Sequence, residues 1–436
     1  MSATLTDADR STVLRGAIRD IAGGLAATAD AHAARPDPRA IAATEFGALM
    51  ATAGIPTDQG APGLHVGGHF FPLDTAGERV ILAEEGCRVG VDAFMSMPGP
   101  SMAGVLVAAL GDRALQERFH GPLVDRPTWT FFAMTEPGVG TDATAMTTTA
   151  APVADGVEIT GTKCFIGNAA RADLGVVFAR TGTGTFAIDA FLTTPARPGF
   201  HATPMPTVGV PGAEFCTVEL TAHPVSDADL LGRHLPRSRR GIRGGMAVFH
   251  ALRPVVAAMS LGVGLCALDE LADELGRMPA GHDREMLAEL RARAIAVREL
   301  IRLAAQASDG GAGVPASAAK DAAHRFARDA TRQVARRLGL GGLLARPRAL
   351  SAVANAWAVQ FMEGTVDVQR QQVFQGLNSA PVASEWFTRG LLCPSAPGPG
   401  SIPSQNEVIA RSPRQGNLDL PDPNPSTVHP PLERPS

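Results

Sequence analysis

The chain contains no tyrosine, and aromatic residues make up only 5% of its 436 positions. Alanine, glycine and arginine are abundant beside that gap, which reads as codon bias of a GC-rich genome rather than as function. Cysteine is scarce as well. Cys87, Cys164, Cys216, Cys266 and Cys393 are odd in number and far apart, with no C-x-x-C. This argues against a disulfide framework or a zinc site and for reduced thiols in a cytoplasmic protein. Net charge is only -4, so the chain as a whole has no pull toward nucleic acid or anionic lipid. The longest apolar run, PVVAAMSLGVGLCAL, is shorter than the ~20 residues a membrane span needs, and Arg253 and Asp269 bracket it. It reads as a buried helix. The start, MSATLTDADR, carries acids and no apolar stretch, unlike a signal peptide. There is no Walker loop, no G-x-S-x-G and no H-E-x-x-H.

What is present divides into zones, with expected boundaries at 1–125, 126–235, 236–392 and 393–436. The first is helical, with Ala-rich segments such as VLRGAIRDIAGGLAATADAHA. The second holds short β-rich runs (VEITGTKCFI, LGVVFART, TFAIDAFLTT, EFCTVELT) punctuated by Gly, Pro and Asn, as expected of an antiparallel sheet. Helices return in the third zone. Val248, Leu252, Val255, Met259 and Val263 repeat at helical spacing, and two long amphipathic segments follow. The fourth zone has eleven prolines between Pro394 and Pro435 and few large apolar residues, the composition of a disordered tail.

Individual motifs have bland readings. AMTEPGVGTD at 133–142 is a glycine-rich turn whose N–H groups and threonine hydroxyls would also suit an anion. LGLGGLL at 338–344 follows a helix and lacks the spacing of a nucleotide loop, so it reads as a helix end. RHLPRSRRGIRGG at 233–245 carries Arg233, Arg237, Arg239, Arg240 and Arg243; most such runs are solvated loops, and a minority bind phosphates or acidic partners. Glu363 is preceded by the nearly uncharged AVANAWAVQFM. A buried acid is costly unless it is paired or has work to do.

Taken together, AMTEPGVGTDATAM, GTKCFIGNAARADLGVVFART, LRPVVAAMSLGVGLCALDE and FMEGTVDVQR, in this order, resemble the acyl-CoA dehydrogenase family. The resemblance implies an α+β fold: an N-terminal helical domain, a middle antiparallel β domain and a C-terminal four-helix bundle. It implies FAD between the last two domains, a homodimer or homotetramer, and α,β-dehydrogenation of an acyl-CoA or acyl-carrier-protein substrate. Electrons would pass to an acceptor such as an electron-transfer flavoprotein. Glu363 resembles the base that takes the α-proton while the β-hydrogen leaves as hydride to flavin N5, and Arg253 resembles an active-site arginine. Some members carry the base on an earlier helix, at the position that Leu252 resembles, and leucine cannot take a proton. For the cofactor, Phe132, Met134, Thr135, Gly140 and Thr141 resemble residues along the flavin ring and pyrophosphate. Phe165, Ile166 and Gly167 resemble the stretch beside the ring. Thr365 and Asp367 resemble residues approaching the adenosine.

The chain also departs from the family pattern. FIGN stands where the family commonly has FITN or FISN, so Gly167 offers no hydroxyl to flavin N5. LGRMPAGHDREMLAEL lacks a clear set of contacts to the neighbouring subunit's FAD, with Arg277 a displaced candidate. Ala354 and Asn355 replace a common Arg-Asp pair. These departures bear on FAD affinity and on the standard tetramer. They keep two alternatives open, a same-fold flavin monooxygenase and a cofactor-poor homologue that acts as a binding partner.

Overall fold

The N-terminal segment folds as helices packed on one long, capped element. In a computed structural model, residues 7–140, 142–184, 187–276, 280–308 and 313–378 are described. The tail expected from 393, with Cys393, lies outside the described residues, as do Thr141 and Arg277. The first helices are α1 (Asp7–Gly23), α2 (Ala26–Ala34), α3 (Pro38–Ala42) and α4 (Glu45–Thr52), followed by a small hairpin, β1 (Leu64–Val66) and β2 (His69–Phe71). They pack on α5 (Ala76–Met95) through Leu14, Ile18, Phe46, Ile81 and Leu82. A capping box starts α5: Thr75 Oγ1 accepts the Glu78 N–H, and the Glu78 carboxylate accepts the Thr75 N–H. Two further helices, α6 (Ser101–Leu110) and α7 (Arg113–Asp125), lead into the sheet.

That sheet has strands β3 (Thr130–Ala133), β4 (Thr149–Val153), β5 (Gly156–Ile166), β6 (Leu174–Arg180), β7 (Ile188–Thr193), β8 (Phe200–Pro204) and β9 (Cys216–Ser226). Its order is β3-β6-β4-β5-β9-β8, with β7 also on β6. The sheet is mixed, not antiparallel throughout. β3 runs parallel to β6, and β4 meets β6 in parallel at Thr149 and Arg180. The β4–β5 hairpin lies between β3 and β6 in sequence, so β6 returns in the direction of β3, a pairing that alternation within each strand cannot reveal.

The C-terminal helices are α8 (Ile242–Leu275), α9 (Gly281–Ser308), α10 (Gly313–Leu344), α11 (Pro347–Ala358) and α12 (Val366–Asn378). By length and composition α8 could cross a membrane, yet it is largely buried inside the protein. Its first turns pack with α6 and the sheet through Ile242 and Val248. Its later turns lie in a second core with Val297 and Ile301 of α9 and Phe326 of α10. The helix therefore bridges two cores, with Leu252 to Met259 at the junction. The LGLGGLL segment forms the far end of α10, which kinks at Gly339 (φ 64°).

Close packing around α8 depends on missing side chains. A Cβ at Gly262 would lie 2.6 Å from Glu84 O and 2.8 Å from Cys87 Cβ, and one at Gly264 would lie 2.5 Å from the Phe326 ring. Gly16 on α1 has open space instead. We expect Gly262→Ala to destabilise by about 1–3 kcal/mol despite the better helix propensity of alanine. Gly16→Ala should stabilise by about 0.5–1 kcal/mol. Urea unfolding of both variants checks the contrast.

Candidate active site

At the junction of the two cores lies a cavity of about 220 Å³. Met50, Met95, Met97, Met102, Met259 and Met362 line much of it, so its walls are largely apolar and adaptable, with Arg79 a charged residue among them. Leu252, Val255 and Val256 of α8 form one side, and the 97–102 segment forms another. Thr130 and Asn168 reach it from the sheet, and Glu363 is the one carboxylate among its lining residues.

Glu363 sits between the turn Val359–Phe361 and the start of α12. Its φ is 46° and that of Gly364 is 96°. A non-glycine residue in the left-handed region costs roughly 1–2 kcal/mol, so surrounding contacts must hold it. They are visible. Lys320 Nζ, fully buried on α10, donates to the carbonyls of Gln360 (3.5 Å), Met362 and Gly364. Arg253 Nε donates to Glu363 O at 3.4 Å, and Gln369 Nε2 donates to the same oxygen at 3.2 Å. Arg253 is itself fixed: Nη1 donates to Gln372 Oε1 at 2.8 Å and lies 3.1 Å from His250 Nδ1. Ser317 Oγ donates to that same Gln372 oxygen. Thus α8, α10 and α12 converge on the backbone of one short loop.

The Glu363 carboxyl receives different treatment. Its Oε2 is buried without a hydrogen-bond partner among the described residues. Burial raises the carboxyl to about 7, although the positive charges of Lys320 and Arg253 pull it down. Burial lowers Lys320 to about 8, with Glu363 opposing that shift and Arg253 adding to it. Arg253 is also lowered by burial, against the pull of Glu363. Lys320, Gln369, Gln372 and His250 were invisible as site residues in sequence. Lys320 lies in SAAKDAAHRFARDA, where it reads as the polar side of an amphipathic helix.

The residues expected to meet a flavin fall into two groups. One is gathered near the cavity. Cys164 N donates to Thr135 O at 2.9 Å, so the end of β3 lies against β5. There the β5–β9 register slips between Lys163 and Ile166, and such bulges re-aim side chains. Phe165 has φ 57° and is 61% exposed, a large apolar ring held at the surface in a left-handed conformation. Gly167 follows. A Cβ there would meet Ala213 O at 3.5 Å, so the glycine is not forced by crowding. Asn168, in the same turn, lines the cavity with Glu363. A planar apolar cofactor would cover the exposed Phe165 ring at this edge, beside the Thr135 main chain.

The second group has its side chains elsewhere. Ile166 is buried in the sheet core, and Met134 is buried in the core that includes Phe178. Phe132 packs against Phe178 and Phe249, at centroid distances of 5.1 and 6.1 Å. Gly140 is exposed. Thr365 accepts the Gln369 N–H through its carbonyl at the start of α12, and Asp367 is exposed in the first turn, where an acid favours the helix dipole. At the Arg-Asp departure, Asn355 is structural. Its Nδ2 donates to Asp92 Oδ2 at 2.9 Å and its Oδ1 accepts the Val210 N–H at 2.7 Å.

The chain belongs to the acyl-CoA dehydrogenase family. Residues 131–222 match the acyl-CoA dehydrogenase middle domain and residues 239–377 match the acyl-CoA dehydrogenase C-terminal domain. This is a family of FAD-dependent oxidoreductases acting on CH–CH bonds. The chain is 30% identical over 252 residues to an acyl-CoA dehydrogenase of Bacillus subtilis, covering 55% of this chain and 65% of that one. It is 30% identical over 195 residues to a 3-(aryl)acrylate reductase of Clostridium sporogenes, covering 44% and 51%. The aligned regions thus span about half to two-thirds of these relatives' lengths. The fold matches that of butyryl-CoA dehydrogenase from Megasphaera elsdenii, with a TM-score of 0.73 at 24% identity, over 86% of this chain and 100% of that one.

The glycine-rich turn contains an acid with a purely structural environment. Glu136 accepts hydrogen bonds from Thr147 N, Thr148 N and buried Lys163 Nζ at 2.6, 2.9 and 2.9 Å. Burial alone would raise its carboxyl, but the Thr148 contact and the Lys163 charge win and hold it at about 2. Its stabilising contribution is therefore present above the usual value of 4.5 and is lost as pH falls toward 2. We expect Glu136→Gln to cost about 3–5 kcal/mol near neutrality, because it strands Lys163. That deficit should shrink as pH falls through this window, read by melting temperature against pH.

Proposed function

We propose that the protein is a cytoplasmic FAD-dependent enzyme that removes hydrogens from the α and β carbons of an acyl thioester. The observation that carries this reading is Glu363, a carboxyl with a buried, unpartnered oxygen at the wall of an apolar cavity, raised to about 7. The α-proton of a thioester is weakly acidic, and a desolvated carboxylate tuned toward working pH is the base it requires. The methionine-lined cavity takes the acyl chain and excludes water. The Glu363 N–H meets no acceptor among the described residues, leaving it to stabilise the thioester oxygen as negative charge develops. Thr135, Phe165 and the turn through Gly167 would hold the flavin, with the start of α12 near its adenosine part. Bound FAD supplies the acceptor for the hydride leaving the β carbon.

By microscopic reversibility, the same glutamate returns a proton to the α carbon in the reductive direction, the one named for the Clostridium relative. The site favours this chemistry over oxygen activation, which has no need of a raised carboxyl. Electrons would leave to an electron-transfer flavoprotein or similar acceptor. Exposed Trp357, Phe361 and Phe374 on the last helices support self-association as a homodimer or homotetramer.

For the carrier, the arginine-rich segment is less free than its sequence suggests. Arg233 pairs with Asp112 at 2.8 Å and Arg240 with Asp189 at 3.0 Å. Arg237, Arg239 and Arg243 remain exposed just before and within the first turn of α8. An acidic acyl-carrier protein gains more from several exposed charges than coenzyme A does, because steering acts over about 8 Å. Replacing these three with alanine should lower kcat/KM selectively for acyl-carrier-protein substrates, with the loss shrinking at high salt. An equal effect on matched acyl-CoA substrates would refute carrier docking.

Anaerobic mixing with acyl thioesters tests the reaction. The purified protein should be yellow, its flavin should bleach, and the rate should rise with pH through about 7 as Glu363 ionises. Glu363→Gln should retain FAD and reduce it about 10²–10⁴-fold more slowly. A colourless protein that stays empty in excess FAD would favour the cofactor-poor alternative. A wild-type rate in the variant would remove Glu363 as the base.

A further inference from the structure

Resting on Glu363 as the base, we infer that Lys320 is a positioning residue for the reaction: its buried ammonium pins the base loop and acts as the counter-charge that lets Glu363 ionise. Three carbonyls, those of Gln360, Met362 and Gly364, converge on Nζ. An ammonium has three donors and no lone pair, so this set uses it fully. A neutral amine would turn a lone pair toward one of the carbonyls. The geometry therefore selects the charged form at a site with no solvent exposure.

A buried cation needs compensation, and none of the three acceptors carries a charge. The surroundings narrow the source. On α10, Lys320 is followed by Asp321 and His324. Asp321 is committed to Arg325 and Arg370, and the ring nitrogens of His324 have no partner among the described residues. On α8 stand Arg253 and His250, and on α12 stand Asp367, exposed, and Arg370. Glu363 is the anion whose charge acts on Lys320, and Arg253 is a like charge. The carboxylate and ammonium do not form an ion pair in contact. Lys320 grips the peptide groups on both sides of Glu363, which leaves the carboxylate oxygens for the substrate. A direct salt bridge would instead stabilise the carboxylate at the cost of its basicity. The same grip holds the residue at φ 46°, the conformation that precedes α12.

Two substitutions separate the roles. Lys320→Met removes both charge and donors. Lys320→Gln removes the charge and keeps donors that can hold part of the loop. The readout is the ionisation of Glu363 itself, followed by infrared titration of its carboxyl band, with Glu363→Gln spectra subtracted. It requires no turnover, so it stands even if the proposed reaction fails. Both variants should raise the Glu363 midpoint above the wild-type value by about one pH unit or more. The pH at which flavin reduction by an acyl thioester becomes half-maximal should move up equally. Affinity for a non-oxidisable 3-thia-acyl thioester should fall more in the methionine variant than in the glutamine variant. A midpoint unmoved in folded variants overturns the inference.

Should the variants fail to fold, the wild-type protein decides the matter. Nitrogen NMR of labelled lysine should show the Lys320 side chain as an ammonium across the pH range in which Glu363 ionises. A neutral amine in that range overturns the counter-charge role.

Discussion

The Glu363 carboxyl is held next to two buried cations without pairing with either, and three C-terminal helices maintain that arrangement. Glu363 lies where α8, α10 and α12 meet, with Arg253 and Lys320 both buried beside it. Both cations bind its main chain or that of its neighbours, leaving Oε2 without a partner. Burial raises the carboxyl and the two charges restrain the rise. Removing either cation, or letting one reach the carboxylate directly, would move the group away from neutral pH in opposite directions.

The frame follows from that need. The long apolar helix α8 spans both cores and carries Arg253 at the junction, one turn from the cavity-lining Val256. Gly262 and Gly264 let it approach α5 and α10, and α10 brings Lys320. The sheet contributes from the other side, where a bulge turns Phe165 outward and the following turn places Asn168 at the cavity. The methionine lining then offers a largely apolar, adaptable chamber.

Much of this was legible in the sequence, for identifiable reasons. The 3.6-residue repeat from Val248 to Val263 announced α8, and the uncharged approach to Glu363 announced a buried acid. The three zones and the family resemblance were readable because the motifs occur in order. What escaped were the relations that exist only after folding. Lys320 is 43 positions before Glu363 and looks like any lysine on an amphipathic helix. The parallel pairing of β3 with β6 depends on strand order, not on alternation within a strand. Asn355 reads as a lost acid, yet it ties α11 to α5 and to Val210. Two of the five arginines in the basic run are taken by Asp112 and Asp189, which no local pattern could show.

The proposed role of Glu363 is to exchange a proton with the carbon next to a thioester carbonyl. The direct measurement is proton NMR of a non-oxidisable 3-thia-acyl thioester incubated with the protein in D₂O. The α-hydrogens should exchange with solvent in the wild-type protein and should not exchange in Glu363→Gln. Exchange at the same rate in both proteins, or its absence from a wild-type protein that binds the thioester, would contradict it.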